Sequence, residues 1–215
     1  MAGTAKRLGG LSTERADKLL LTHLLRDNNK MQHEKYARIE RERRFLLAQF
    51  PSDPTIVRNR YIIDRYIDGT TLRLRKQTYN DGLITFKLTQ KLPMRGDGAQ
   101  QGFITSIYVT EDEFELLAQL PARMLTKTRF SVPPYGIDIF DGGLQGLILA
   151  EAEFDSAEAA AAFPIPAFAT AEVSTDDRFS GGRLASASRE DIHNWLSDYG
   201  LILGSVEKPH PAHDS

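Results

Sequence analysis

Two short runs of alternating glutamates stand near opposite ends of the chain. In Ile39-Glu40-Arg41-Glu42-Arg43-Arg44-Phe45-Leu46-Leu47, strand alternation sends Glu40, Glu42, Arg44 and Leu46 to one face and Ile39, Arg41, Arg43 and Phe45 to the other. Taken alone, the segment also reads as a solvated helix laced by Glu40–Arg44 pairing. The second run, Leu147 to Phe154, repeats the strand pattern more cleanly, with Glu151 and Glu153 on one face and Ala150, Ala152 and Phe154 on the other. Neighbouring carboxylates repel unless a cation or Arg and Lys side chains answer them. If the two strands face one another across a barrel interior, four carboxylates converge, and such an oxygen-only set suits Mg²⁺ or Mn²⁺ rather than zinc.

Between the acidic runs lie basic ones with the same alternation. Arg73 and Arg75 share a face, as do Lys127 and Arg129, and Lys87 stands with Thr85 and Thr89. One such pair by itself reads as a solvated strand face. Here the cations alternate with Leu72, Leu74, Phe86, Leu88 and Phe130, so the simplest closed arrangement places apolar residues outside, under helices, and charges inside. An interior with cations on some walls and carboxylates on another calls for a polyanion with a divalent metal, and triphosphate with Mg²⁺ is the obvious candidate. Arg forks onto phosphate oxygens and Lys supplies a compact charge. Gly142-Gly143 and Gly181-Gly182 lack the Lys and the strand-to-helix setting of a P-loop, so phosphate binding would fall to side chains. The histidines, His23, His33, His193, His210 and His213, have no partner at zinc-motif spacing.

The elements that must position these residues are short segments bounded by Gly, Pro, Asp and Asn: 36 to 48, 60 to 67, 71 to 78, 83 to 90, 103 to 109, 126 to 132, 136 to 140 and 146 to 154. Eight strands at this spacing predict an α+β fold: a closed eight-stranded antiparallel β-barrel with peripheral helices. Asn80-Asp81-Gly82 predicts a hairpin with a type I′ turn. Capping pairs open three helices: Thr110 with Glu113, to about Leu120 before Pro121; Asp155 with Glu158, to Pro164; and Ser188 with Asp191, to about Tyr199. Ser12 and Thr13 cap a further helix to about Asp27, whose Leu20–Leu24 and Leu21–Leu25 stripe packs on the main domain or forms a homodimer contact. The expected organisation is a leader and amphipathic helix over 1–34, the barrel domain over 35–205 and a disordered tail over 206–215.

The 215 residues are 41% hydrophobic and 26% charged, which excludes global disorder. With 27 Lys and Arg against 29 Asp and Glu, no whole-molecule basic field exists to drive nucleic-acid binding. The absence of cysteine excludes disulfides, thiolate zinc sites and Cys nucleophiles. No apolar run approaches the roughly 20 residues needed to span a bilayer, and no signal peptide is readable, so a cytoplasmic protein without membrane contact is expected.

In order and spacing these residues resemble the CYTH domain proteins, or triphosphate tunnel metalloenzymes. Glu40-Arg41-Glu42-Arg43-Arg44 is similar to the family's opening Glu-x-Glu-x-Lys strand, and Thr70-Thr71-Leu72-Arg73-Leu74-Arg75 to its basic strand. Thr85-Phe86-Lys87, Lys127-Thr128-Arg129-Phe130, Asp138-Ile139-Phe140, Glu151-Ala152-Glu153-Phe154 and Glu172 to Phe179 follow. The resemblance spans about residues 36 to 186 and implies a tunnel for triphosphate-bearing substrates and divalent metal. It implies Glu40, Glu42, Glu151 and Glu153 as metal ligands, with Glu40, Glu42 and Arg44 at the reacting centre. It also implies Arg73, Arg75, Lys87, Lys127, Arg129 and Arg178 as phosphate contacts, with Asp176 and Arg178 in a segment closing the tunnel mouth. Two departures stand out: Arg44 replaces the family's Lys, and Phe103 to Ile107 lacks the Arg and Glu that many relatives carry there.

The activity expected from this resemblance is metal-dependent hydrolysis of inorganic triphosphate to pyrophosphate and phosphate, with Mg²⁺ or Mn²⁺. The alternatives are an organic triphosphatase acting on thiamine triphosphate or a nucleoside triphosphate, a class IV adenylate cyclase, and a non-catalytic polyphosphate- or nucleotide-binding module.

Overall fold

The computed structural model describes residues 36–94, 100–204 and 208–209. Contacts divide the chain into Met1–Ala37 and Arg38–Ser215, and every element below belongs to the second unit. The expected leucine-striped helix, its dimer contact and nearly all of the expected tail lie outside the described residues.

Nine strands run β1 (Arg38–Leu46), β2 (Arg58–Ile67), β3 (Leu72–Tyr79), β4 (Ile84–Met94), β5 (Gln100–Val109), β6 (Ala122–Val132), β7 (Tyr135–Phe140), β8 (Ile148–Glu153) and β9 (Ala171–Glu172). Four helices join them: α1 (Glu111–Leu117), α2 (Ala157–Ala162), α3 (Gly181–Leu184) and α4 (Arg189–Ser197). The order β5-β4-β3-β2-β6-β7-β8-β1 closes on itself because one edge of β1 pairs with β5 through Arg38–Glu42 while the other pairs with β8 through Glu42–Leu46. Every pairing is antiparallel, so the eight expected strands form a closed antiparallel barrel. The ninth, β9, covers the end of β1 at Phe45 and Leu46.

Alternation assigns the outer surface to apolar residues wherever a helix or loop covers it. Leu74 and Phe86 pack with Phe114 of α1, the two rings 4.8 Å apart. Phe45, Phe130, Ile137, Ile139, Ile148 and Ala150 form a second outer cluster under Phe50, Phe163 and Phe168. A third cluster closes one end of the barrel. Its members Leu46, Leu125, Phe140 and Leu149 come from the inward faces of four strands and meet Val173, Phe179, Leu184, Ile192 and Leu196 from the last third of the chain.

Local signals were partly as expected. The Thr110 and Ser188 capping boxes are formed, each side chain accepting from the backbone three residues on. The cap of α2 is Ser156, which accepts from Ala159 N at 3.1 Å, rather than Asp155. The β3–β4 hairpin forms, but its turn is not type I′. Only Gly82 has positive φ, at 85°, whereas type I′ requires it at both central residues. Asp81 instead bonds Leu83 N through its carboxylate at 3.0 Å, and Gly82 alone supplies the left-handed residue. No helix among the described residues is long and apolar enough to cross a membrane.

This packing assigns different weights to two outward residues of one hairpin. Leu74→Ala, at a fully buried position under α1, should lower stability to chemical denaturation by about 2–5 kcal/mol. Ile84→Ala, at a 44% exposed position, should cost no more than about 1 kcal/mol. Equal losses from the two variants would contradict the placement of α1 over β3 and β4.

Candidate active site

Above the apolar end cluster the interior turns abruptly polar. One step along the inward rows, Leu46 gives way to Arg44, Leu149 to Glu151, Leu125 to Lys127 and Phe140 to Asp138. Arg44, Glu151 and Lys127 border a cavity of ≈ 560 Å³, with Asp138 behind them. Its lining includes Glu40, Glu42 and Arg44 from β1, Glu151 and Glu153 from β8, Arg73 and Arg75 from β3, Lys91 from β4, and Arg123, Lys127 and Arg129 from β6. Tyr66 of β2 and the segment Asp177, Ser180–Arg183 complete one side, and Gly102 of β5 another.

The two Glu-x-Glu strands are neighbours and do not face one another across the interior. Glu42 is register partner of Glu153, and Arg44 of Glu151, so the four glutamates make one acidic wall with Arg44 set into it. The wall is braced from behind. Val173 N donates to Arg44 O at 2.8 Å, and Arg44 N donates to Ser174 Oγ at 3.0 Å. Arg43, on the outward face, forks onto Glu172 at 2.8 and 2.5 Å. The late Glu172-Val173-Ser174 sequence therefore fixes β1 beside the cavity.

Most of the interior charges are answered by another. Asp64, wholly buried on β2, accepts a fork from Arg75 at 2.6 and 2.7 Å, with Arg73 Nε 3.6 Å away. Asp138, equally buried on β7, accepts from Arg129 at 2.6 and 2.5 Å and from Lys127 at 2.5 Å. Arg129 also reaches Glu151, Arg44 bonds Glu42 at 3.1 Å, and Lys91 meets Glu40 at 2.6 Å. Burial opposes ionisation of Asp64 and Glu151, but Arg75 and Arg73 in the first case, and Arg129, Lys127 and Arg44 in the second, outweigh it and hold both carboxyls well below the usual range. Glu42 goes the other way: burial, with Glu151 and Glu40 beside it, raises its carboxyl despite Lys91 and Arg44. Burial lowers the Lys127 ammonium, Asp138 only partly restoring it.

Of the expected site residues, Glu40, Glu42, Arg44, Arg73, Arg75, Lys127, Arg129, Glu151 and Glu153 border this one cavity. Lys87 and Arg178 do not. The Lys87 ammonium lies 4.9 Å over the Tyr108 ring, and Arg178 is held by Asp176 at 2.7 Å and Asp198 at 2.6 Å. The segment at the cavity edge is instead Asp177 with Ser180–Arg183, adjoining the Asp176–Arg178 pair. Asp64, Tyr66, Lys91 and Arg123 belong to the site but escaped the sequence reading. The signal for Asp64 was there: Arg60, Ile62, Asp64 and Tyr66 share parity, and a lone Asp opposite cationic rows is their natural counter-ion. As expected, β5 adds no charge, its inward positions being Gly102, Ile104 and Ser106.

The closed antiparallel barrel thus sets an acidic wall and a cationic wall about this cavity. Comparison with known proteins gives the family. The chain is 34% identical over 155 residues to the inorganic triphosphatase of Nitrosomonas europaea, the match covering 68% of this chain and 96% of that protein. It belongs to the same family as that protein. No family-wide sequence profile matches the chain. Among solved structures, the crystal structure of an inorganic triphosphatase shares 27% identity over 69% of this chain and 95% of its own, with a TM-score of 0.47. A protein from Pyrococcus horikoshii shares 20% over 57% and 82%, with a TM-score of 0.43.

The two kinds of buried acid predict stability changes of opposite sign. Asp64 is depressed on folding, so its contribution is present above its unfolded value near 3.8 and is lost as pH falls below it. Asp64→Asn should therefore destabilise at pH 7 by about 3–5 kcal/mol, less at pH 3. Glu42 is raised, so its contribution is full below 4.5 and lost as pH rises through the folded value. Metal-free Glu42→Gln should consequently unfold no lower than the parent at pH 7.5, with its relative advantage shrinking toward pH 4. Thermal unfolding of both variants across pH 3–8 checks both signs.

Proposed function

We propose that this cavity binds inorganic triphosphate together with Mg²⁺ or Mn²⁺ and hydrolyses it to pyrophosphate and phosphate; the relative's name, inorganic triphosphatase, supports the substrate. One observation carries the reading: Arg44 Nη1 and Arg73 Nε, on residues that line the cavity, are buried donors without an acceptor. An unsatisfied buried guanidinium donor is costly, and the acceptor that fits a cavity lined by arginines and lysines is a phosphoryl oxygen. The two donors come from the acidic and the cationic wall, so an anion entering between the walls would draw both guanidinium groups toward it. This is the tunnel arrangement implied by the resemblance to the CYTH proteins.

The donor chemistry of Glu40, Glu42, Glu151 and Glu153 fits a hard divalent cation. As placed, Glu40, Glu42 and Glu151 are paired with Lys91, Arg44 and Arg129, and among the described residues no three acidic or histidine side chains are arranged to hold a metal. These four glutamates would hold the ion once their cations turn to phosphate. When bound, the ion would neutralise phosphoryl charge and polarise a phosphorus–oxygen bond.

Arg73, Arg75, Lys127 and Arg129 bind and align the phosphate chain, with Asp64 holding Arg75 and Asp138 holding Lys127 and Arg129 before it arrives. Water attacks a terminal phosphorus. The new phosphorus–oxygen bond forms as the bridging bond breaks, and pyrophosphate leaves with the bonding electrons. Arg44 stays charged throughout and stabilises the negative charge that builds on the transferring group. It cannot take the proton of the attacking water, which passes to an oxygen of the acidic wall or of the phosphate product.

Phosphate release from inorganic triphosphate, ATP and thiamine triphosphate, measured with Mg²⁺, with Mn²⁺ and with chelator, tests this directly. Release should depend on the metal and favour inorganic triphosphate, and Glu151→Gln should reduce it by about 100-fold or more. Binding of triphosphate without release would instead identify a non-catalytic module, and release unaffected by chelator would overturn the metal assignment.

A further inference from the structure

We propose that Asp64 and Tyr66, two inward residues of β2, are the positioning pair for Arg73 and Arg75, and that Gly181 belongs to the same device. The inference rests on the reading of the cavity as a triphosphate site and adds how its phosphate-binding arginines are aimed.

In the β2–β3 register Asp64 stands opposite Arg75, and Tyr66 opposite Arg73. Asp64 is fully buried and takes the Arg75 fork through both carboxylate oxygens, which fixes the plane of that guanidinium. Arg73 is held differently. Its Nε is 3.6 Å from Asp64 Oδ1, too far for a hydrogen bond, and remains unsatisfied. Its second neighbour is the Tyr66 hydroxyl, pushed up to about 12 by burial and Asp64, with Arg73 acting against that rise. The phenol therefore stays neutral, and its oxygen accepts from the arginine.

Tyr66 is itself located from outside the barrel. A Cβ built on Gly181 would lie 2.0 Å from Tyr66 Oη and 3.0 Å from Cζ, so the hydroxyl occupies the place where any other residue would have its side chain. Gly181 begins α3, which is anchored by Leu184 in the apolar end cluster. The hydrogen bonds and ion pairs of Asp64 go to Arg75 and Arg73 and not to the glutamates of the acidic wall. Asp138 differs, because its partner Arg129 also holds Glu151. A fault at Asp64 or Tyr66 should thus appear in how phosphate is received and leave the chemical step nearly intact.

The test uses substitutions that conserve charge, since removing the Asp64 charge would also change the attraction for any anion. Asp64→Glu keeps the charge and misdirects the fork, Tyr66→Phe removes only the hydroxyl, and Gly181→Ala displaces the ring. Binding of inorganic triphosphate by calorimetry in chelator, KM and kcat with metal, and thermal unfolding are measured for each in the full chain. Asp64→Glu should raise Kd and KM by roughly tenfold with kcat within about threefold, and Tyr66→Phe should raise them by about two- to fivefold. Gly181→Ala should raise KM in the parent and add little in the Tyr66→Phe background, since the group it displaces is then absent. If Asp64→Glu fails to fold, the Tyr66 and Gly181 pair decides alone. Parental Kd and KM in folded variants, a fall in kcat at constant KM, or fully additive Tyr66 and Gly181 effects would overturn the positioning role. A parent chain that neither binds nor hydrolyses triphosphate would overturn the functional reading itself.

Discussion

A charge buried inside this barrel is costly to leave unpaired. Desolvating an isolated guanidinium, ammonium or carboxylate costs several kcal/mol, and the interior rows present many of each. The structure meets the constraint with two wholly buried aspartates, Asp64 and Asp138, which between them hold Arg75, Arg73, Arg129 and Lys127. Everything else about the site follows from this pairing. The cations are held in place before any ligand arrives, and the same buried acids temper their charge enough for the barrel to close around them. The cavity lining itself carries eight Arg and Lys side chains and five Asp and Glu, with Asp64 and Asp138 as further counter-charges behind it.

The barrel makes this pairing possible by separating two kinds of packing. Outward positions on β3 and β4 bury Leu74 and Phe86 under α1, and those of β6, β7 and β8 bury Phe130, Ile137 and Ile148 under loops and helices. Stability thus comes from apolar contacts outside the charged interior, which is free to be polar. The apolar end cluster is the exception, and a useful one. By filling the barrel end with Leu46, Leu125, Phe140 and Leu149, it gives the cavity a dry floor, so the charges directly above it are screened little by solvent. The segment that completes this floor, through Leu184, also carries Gly181 to Tyr66. The same short stretch therefore seals the barrel and shapes the site.

How much of this was legible in the sequence depended on the range of the interaction involved. Parity along a strand is local, so the sequence placed Glu40, Glu42, Arg73, Arg75, Lys127, Arg129, Glu151 and Glu153 on interior faces, and capping boxes at Thr110 and Ser188 marked helix starts. Strand adjacency is not local. Nothing in either Glu-x-Glu run says that β1 and β8 pair edge to edge, with Glu42 beside Glu153. Parity also cannot say how far along the barrel a side chain lies. Lys87 has the right face, yet its ammonium rests over Tyr108 and does not line the cavity. Arg178 was legible only as part of a motif, and its partner Asp198 comes from a different element. Asp64 was hidden because a single acid between Arg60 and Arg65 looks like an ordinary surface pattern until its strand is known to lie between two cationic ones.

Arg44 shows why a departure from a family pattern is best weighed by its surroundings. It is the one cation set into the acidic wall, opposite Glu151 in register and bonded to Glu42, and it is 3% exposed. A lysine there would be a compact charge that burial pushes toward neutrality, as happens at Lys127. A guanidinium does not neutralise. With Lys91 on Glu40 and Arg129 on Glu151, its bond to Glu42 offsets the crowding of the acidic wall, and its second arm is left unsatisfied in a residue that lines the cavity. Relative to the lysine that the CYTH resemblance implies here, Arg44 is a permanent counter-charge. On the proposed function its part is charge stabilisation, with proton transfer left to the oxygens of the wall.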